Sequence, residues 1–492
     1  MDFLYGQAIS LAVPVFIALV ALEFVYDRSR GTGYYRFPDA ISSLSCGMVS
    51  TGMRVFFGFI GLSVYNWTLA HCAAVSLPSG NWLTWLFAFV FYDFCYYWQH
   101  RLGHTVGLFW ASHSVHHQSE EFNLTTALRQ PGTGAFTNWL FYIPMAACGI
   151  PLAVFLWVGI IQLFYQFWPH TRHIGRLGVL DRWIQTPSNH RVHHAQNDIY
   201  LDRNYVGVFL FWDHLFGTFQ DEREDEPCIY GVRVQLKSWN PVWANLHYYW
   251  IMLEDCWHTG CWRDKLRVWY APPGWRPADV SSRFPRPPYD PHRDFQRFDP
   301  PGTASWSIYV LVQFAAILIA HSHFLRVLPL QSPAGNVLYF LFLVLSLALL
   351  GGLLENRRIF RVLESGRLLI TVAFVLATPG WFGNLRGPGS RTAFVSFALL
   401  SLGWLLSTDR RVRARKNAGL LSAGVYEYLP DIARNESPRP LNRKNDNENS
   451  QDLSHLTRRP GDHEAGIRTV ARVPHTRPED QRGSRGVPAP DR

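Results

Sequence analysis

Apolar stretches free of Asp, Glu, Lys and Arg recur along this chain, at residues 3–22, 55–92, 130–171, 300–325, 327–354, 368–385 and 392–408. A helix needs about 20 mostly apolar residues to cross a hydrocarbon layer roughly 30 Å thick. Soluble cores rarely repeat such runs so often. The pattern predicts an all-α, multi-pass membrane helical bundle. Spans are expected near 3–25, 46–70 and 82–99, then near 304–325, 334–355, 367–385 and 392–408. The stretch 134–168 has room for one tilted span or two short ones. Pro144, Gly149 and Pro151 punctuate its middle, and proline interrupts the helical hydrogen-bond ladder. Histidine clusters stand on both flanks. If both feed one site they must share a side, so the stretch is expected to go in and come back as a helical hairpin.

The polar connectors set the expected organisation: residues 1–300 as a membrane unit holding the histidine clusters, 301–408 as C-terminal spans, and 409–492 as a basic, disordered tail. Within the first unit, 170–300 reads as a cytoplasmic block with soluble character. It holds the acidic run 221–226 and then a Pro- and Trp-rich segment. The N-terminus lacks the basic start and small-residue cleavage site of a signal peptide, so the first helix is expected to be retained. Asp27-Arg28-Ser29-Arg30 and Arg36 make the first loop basic. The positive-inside rule then puts that loop, and by parity the histidine clusters, on the cytoplasmic face.

Composition agrees: 48% of residues are hydrophobic and 17% charged, with 20 Trp and 34 Phe. Of the formal charge of +9, the region 409–492 supplies +5, from 17 basic and 12 acidic residues. Basic residues near helix ends set orientation or meet anionic lipid, and a nucleic-acid partner is not expected. The seven cysteines form no CxxC pair and are given no metal role.

Half of the 20 histidines lie between residues 100 and 194. His100 and His104 are spaced HxxxH. His113, His116 and His117 are spaced HxxHH, and so are His190, His193 and His194. His170 and His173 fall between them. On a helix, positions i and i+3 or i+4 share a face. The three clusters therefore offer two, three and three nitrogens, eight in all. One zinc takes four. Two ions would take four each and keep open positions, with His170 as a further candidate ligand. Imidazole suits iron, zinc and copper alike, so ligand type leaves the metal open.

Three other residues are candidates to support the ligands. Asp93 lies seven residues before His100, on nearly the same helical face. A buried carboxylate there needs a partner, either a ligand imidazole or a neighbouring Tyr or Trp. Glu120 follows the second cluster directly, with Glu121 beside it as a solvated residue. His173 is the third. His71, His214, His247, His321 and His323 are read as ordinary polar or core residues.

These motifs resemble the membrane fatty acid hydroxylase/sterol desaturase superfamily, in which HxxxH, HxxHH and HxxHH bind two iron ions at the cytosolic ends of membrane helices. The stretch 112–130, from Ser112 through His116, His117 and Glu120 to Arg129 and Gln130, resembles the second box of its ether-lipid branch. The stretch 186–194, from Thr186 and Pro187 to His193 and His194, resembles the third, followed by Arg203-Asn204-Tyr205 and by Trp212-Asp213-His214 through Phe219. The resemblance covers roughly residues 5–260. It implies two Fe ions, O2 as co-substrate, a lipid substrate, and an electron donor that is tetrahydrobiopterin or a redox protein. It also implies hydroxylation of a lipid carbon, in the narrowest form with cleavage of an alkylglycerol ether. A sterol, carotenoid or fatty acyl hydroxylase or desaturase is the alternative. Asn189 stands where that branch often has another histidine, and the polar tail has no counterpart in it.

Two readings from other classes remain open. A histidine-rich metal transporter would spread its ligands through the depth of the membrane, and a lipid-binding scaffold would keep the pattern without using it.

Overall fold

A computed structural model describes residues 2–417 except Gly302, Pro379, Gly383, Asn384 and Arg386. Helix α1 (Asp2–Arg30) leads into α2 (Phe37–Cys72) and α3 (Trp82–Thr105), which ends in the first histidine pair. A short α4 (Gly107–His117) carries the second cluster. After the punctuated stretch, α5 (Leu152–Tyr165) returns toward α6 (Pro187–His194), which carries the third. Helices α7 (Pro241–His258) and α8 (Trp262–Tyr270) follow. Then come α9 (Ser307–Val327), α10 (Pro333–Leu354), α11 (Arg358–Ala377) and α12 (Pro388–Asn417). Among the described residues there is no β-strand, only isolated bridges joining Ile184 to Phe209 and Ala195 to Tyr230.

By length and composition, four helical segments among the described residues can cross a membrane: Phe37–His71, Ser307–Leu330, Pro333–Leu354 and Pro388–Val412. The expected spans on α1, α3 and α11 are present as helices but fall outside that set. The second half of α3 is rich in Tyr, Gln and His, and α11 carries Arg358, Arg361, Glu364 and Arg367. Two of those charges are neutralised inside the bundle. The Arg367 guanidinium donates to Glu364 Oε2 at 2.7 Å and to Gln313 Oε1 at 2.9 Å, and the Tyr309 hydroxyl donates to Glu364 Oε1 at 2.7 Å. A charge in such surroundings persists only when paired in this way.

The stretch 134–168 does turn back, though only its second arm is a regular helix. The first arm is broken into Gly134–Thr137, the 3-10 turn Asn138–Tyr142 and Ile143–Ala147. Pro144 and the Gly149-Ile150-Pro151 corner explain the fragmentation, since each removes or diverts a ladder bond. Gly149 takes φ +81, and a Cβ there would sit on the Val75 carbonyl. Ala74 N–H donates to Ala147 O at 2.8 Å, so the corner lies against the α2–α3 connection. That is the far end of these helices from the histidines. Tyr65, Ala88, Met145, Ile150 and Val154 pack the space between α2, α3 and the two arms. A second apolar core joins α2 to α9, α10, α11 and α12 through Phe324, Phe340, Leu343 and Leu347.

The tail is expected to begin at residue 409. Helix α12 runs on to Asn417, held by an ion pair between Arg361 and Asp409 at 2.8 Å. The rest of the expected disordered tail, 418–492, lies outside the described residues.

Candidate metal centre

Two short helices present most of the imidazoles, and their ends are built for it. At α6, Pro187 opens the first turn. Thr186 and Asn189 form a reciprocal cap, with Thr186 N–H donating to Asn189 Oδ1 at 3.2 Å. Such a cap satisfies backbone donors that an eight-residue helix would leave bare. Asn189, the position at which the resemblance suggests another histidine, is therefore the cap of the third box. At α4, Gly107 N–H donates to Ala271 O at 2.9 Å, and a Cβ at Gly107 would come within 2.9 Å of the Val268 carbonyl. The missing side chain lets the end of α8 close over the start of α4.

Nine histidines from four parts of the chain converge in two groups. One holds His100, His104, His113, His117 and His193; the other holds His116, His170, His190 and His194. Within each group the ligand nitrogens lie within 4.8 Å of one another. The two HxxHH motifs are divided in opposite senses. His113 and His117, one turn apart on α4, enter the first group while His116 enters the second. His190 and His194 enter the second group while His193 enters the first. Each motif thus spans both groups, because i and i+4 share a face and i+3 leans to its edge.

The ring orientations are set from outside. Backbone carbonyls face four Nδ1 atoms: Tyr205 O on His100 at 2.6 Å, Arg129 O on His116 at 2.9 Å, Gln166 O on His170 at 2.9 Å and Arg203 O on His193 at 2.8 Å. A carbonyl only accepts, so each Nδ1 carries the proton and each Nε2 is left as a bare lone pair pointing inward. Those Nε2 atoms crowd together. His100 and His113 approach to 3.0 Å, His113 and His117 to 3.1 Å, His190 and His170 to 2.9 Å, and His170 and His116 to 3.3 Å. Nε2 of His104 and of His193 is buried with no partner.

His116 and His170 both present bare Nε2 lone pairs, which repel at 3.3 Å unless a cation lies between them. Ligand bonds of about 2.0–2.1 Å put neighbouring nitrogens roughly 2.9–3.4 Å apart in octahedral or tetrahedral geometry. The donor sets fit a metal pair. Burial first, then neighbouring imidazoles, holds His113, His117, His170, His190, His193 and His194 well below the ordinary 6.5, and burial takes His116 down to about 4. The neutral form, the one that ligates, is therefore favoured at pH 7.

The loop supplying two of those carbonyls is marked in the sequence only as a flank of the third histidine box, with no role attached to Arg203, Asn204 or Tyr205. Asp202 and Asn204 both take positive φ, 58 and 55, which is rare outside glycine though tolerated by Asp and Asn. These two turns aim Arg203 O and Tyr205 O at the rings. Asn204 Nδ2 donates to Asn189 O at 3.1 Å and to Gln220 O at 2.8 Å, and Asp213 accepts from Tyr205 N at 2.9 Å and Val206 N at 3.1 Å. Arg129, buried inside the apolar region, donates to Val115 O at 2.7 Å and to Ser42 and Gln118. The signals were present, a buried-looking Arg and Asp among apolar neighbours, but backbone carbonyls have no residue signature.

The structure places the three supporting candidates away from the rings. Asp93 touches neither a histidine nor a Tyr or Trp hydrogen-bonding group. It accepts from Val208 N at 2.8 Å and Phe209 N at 2.9 Å, tying the loop after Tyr205 to α3. Glu120 accepts from Phe298 N at 2.8 Å and pairs with Arg36 at 3.4 Å. Glu121, expected to be solvated, is buried and meets Arg172 at 2.6 Å and Arg297 at 3.2 Å. Burial still pushes its carboxyl up to about 7, against the pull of those arginines. His173 belongs to neither group. Its ring lies between Tyr26 and Tyr34, with Nε2 3.6 Å from Asp27. His71, His214, His247, His321 and His323 also stay outside both groups, and none of the seven cysteines joins them.

A family model for fatty acid hydroxylases matches residues 85–218, the interval that holds all nine histidines. The human alkylglycerol monooxygenase is 34% identical over 397 residues, covering 80% of this chain and 87% of that protein. The chain belongs to the fatty acid hydroxylase family. Its Xenopus tropicalis relative of the same name is 33% identical over 73% of this chain and 80% of its own length. An ornithine lipid hydroxylase from Rhizobium tropici is 28% identical over 45% of the chain and 69% of its own length. No solved structure matches. As a member of this family the protein is an oxidoreductase, a membrane lipid monooxygenase with a histidine-built metal site.

Proposed function

We propose that this protein uses two iron ions and O2 to hydroxylate a lipid C–H bond, and that its substrate is an alkylglycerol. The division of both HxxHH motifs between two imidazole groups carries the reading for the metal pair. Likeness to alkylglycerol monooxygenases along most of both chains supports the substrate. His100, His104, His113, His117 and His193 would hold one ion, and His116, His170, His190 and His194 the other. When bound, the iron pair supplies the activation of O2 that an unactivated C–H bond requires.

The protein's own share is positioning and exclusion of water. The carbonyls of Tyr205, Arg129, Gln166 and Arg203 keep the proton on Nδ1 of His100, His116, His170 and His193, which leaves Nε2 of these four free to ligate. A polar notch of about 20 Å³ borders His113 and is lined by Gln99, Ser112, Asn138 and Phe141 among others. That space is about enough for a single water. A larger apolar cavity of about 440 Å³ lines Val75, Leu77 and Phe87 at the hairpin corner and does not reach the histidines. Hydroxylating the carbon next to the ether oxygen gives a hemiacetal, which breaks its C–O bond to yield an aldehyde and glycerol. The electron donor is proposed to be tetrahydrobiopterin, with a redox protein as the other candidate.

The basic loop after α1 and Arg357-Arg358 after α10 support a cytoplasmic face for the histidines by the positive-inside rule. Residues 1–300 would form the reacting unit and 301–408 its membrane support. Clustering of all nine imidazoles at the end of α3, away from the hairpin corner, disfavours ion transport. Purified protein supplied with iron, labelled alkylglycerol and either reductant should release the fatty aldehyde, read by mass spectrometry. No aldehyde with either donor, together with turnover of a sterol or fatty acyl substrate, would remove the ether-lipid reading.

A further inference from the structure

Helices α7 and α8 expose apolar side chains in helical register. On α7, Leu246, Trp250, Leu253 and Trp257 recur at 4-3-4 spacing and are 49, 37, 49 and 83% exposed. The opposite face of α7, with Ala244, Ile251 and Met252, is buried, and the helix packs on α4, α2 and α10. On α8, Trp262, Leu266 and Tyr270 are 78, 68 and 64% exposed at 4-4 spacing, while Val268 turns inward against α4. Contiguous exposed apolar surface of this kind is uncommon on a water-facing surface and marks a partner.

Neither helix has the length and composition of a span; those belong to the four segments given above. Basic groups edge the stripe instead. Arg263, Lys265 and Arg267 lie between Trp262 and Trp269 on α8 and outnumber its one acid, Asp264, while on α7 the exposed Glu254 accepts from Trp250 Nε1 at 2.7 Å. Lys265 Nζ lies 5.6 Å from the Trp262 ring centroid, and the Arg267 guanidinium 4.6 Å from that of Trp275. Trp with interleaved Lys and Arg on a short amphipathic helix is the composition of a segment lying in the headgroup–acyl boundary. Two of the helices that α7 packs on, α2 and α10, are themselves candidate spans, so the stripe continues a membrane-facing surface.

We propose that α7 and α8 lie in the interface of an anionic lipid leaflet, with Leu246, Trp250, Leu253, Trp257, Trp262 and Leu266 in the acyl boundary. The sequence places 170–300 in the cytoplasm as a soluble-like block; its 241–270 part instead anchors α4, and with it three of the histidines, at leaflet depth. The proposal depends on neither the metal nor the substrate.

The test uses full-length protein in nanodiscs containing phosphatidylserine, with the exposed Cys72 and Cys261 replaced by serine. Nitroxides are placed one at a time through Trp257→Cys, Leu266→Cys and, as an aqueous reference, Glu224→Cys, whose side chain is 94% exposed. Power saturation with oxygen and with a water-soluble nickel chelate reads depth. Labels at 257 and 266 should show an oxygen-to-nickel accessibility ratio several-fold above that at 224. Equal ratios at all three sites would overturn the proposal. So would loss of access to both reagents at 257 and 266, the signature of a covering protein or second copy.

Discussion

His116 and His170, 54 residues apart, bring their Nε2 atoms to 3.3 Å across the two flanks of the apolar hairpin. Each Nδ1 is tied to a backbone carbonyl, Arg129 O for His116 and Gln166 O for His170. The second group of nitrogens therefore exists only because the hairpin returns. A metal in that group should be lost when His170 goes, while the first group keeps five imidazoles.

His170→Ala should lower the iron content from two per chain toward one and abolish turnover. Metal analysis of the purified variant in nanodiscs checks this. Retention of two irons with wild-type turnover would remove His170 from the ligands.

Asp213→Asn should act on the same centre from a distance. Its carboxylate accepts from Tyr205 and Val206 N–H and from the Thr218 hydroxyl, and Tyr205 O in turn orients His100. An asparagine keeps one acceptor and turns a donor toward the other N–H. Loss of an orienting partner of this kind costs roughly 10–100-fold in metal affinity or activity. A competition titration with a chelator measures it, and an unchanged affinity would deny the loop its orienting role.

Asp93→Asn should behave differently. Asp93 holds Val208 and Phe209 N–H and touches no ring, so the change leaves one buried donor poorly met. The expected cost is about 1–3 kcal/mol of stability, seen as a lower Tm with iron stoichiometry unchanged. Loss of iron without loss of Tm would instead make Asp93 a support of the ligands.

Those contrasts show how much of the site could be read from residues. The three histidine clusters could be read from their i, i+3, i+4 spacing, though not the way each HxxHH motif is split between two imidazole groups. The hairpin could be read from its proline and glycine corner. Asp93 misled because helical phase puts it beneath His100, whereas its partners are backbone amides of a loop more than 100 residues later. Glu121 misled because three arginines from distant segments bury it. The pairing of Asp409 with Arg361 on a neighbouring helix is likewise invisible in the local sequence. Long-range backbone and ion-pair partners leave no local pattern, and that is the part the sequence withholds.

Glu121 gives a pH signature. Its folded carboxyl is raised to about 7 from 4.5 by burial. A raised folded value means the folded state holds the proton more tightly. The associated stability is present below about 4.5 and is lost as pH rises through 7. Glu121→Gln should therefore flatten the decline in Tm between pH 5 and 8 relative to the parent. Parallel profiles would show that Arg36, Arg172 and Arg297 keep the carboxylate charged throughout.

The central claim, that imidazoles from both flanks of the hairpin enclose a pair of ions, is tested most directly by metal quantitation with iron K-edge absorption on the purified, iron-replete chain. Two tightly held irons per chain, with nitrogen neighbours dominated by imidazole scattering and a nearby second iron, is the result expected. A single iron, or two with mainly carboxylate surroundings, would contradict it.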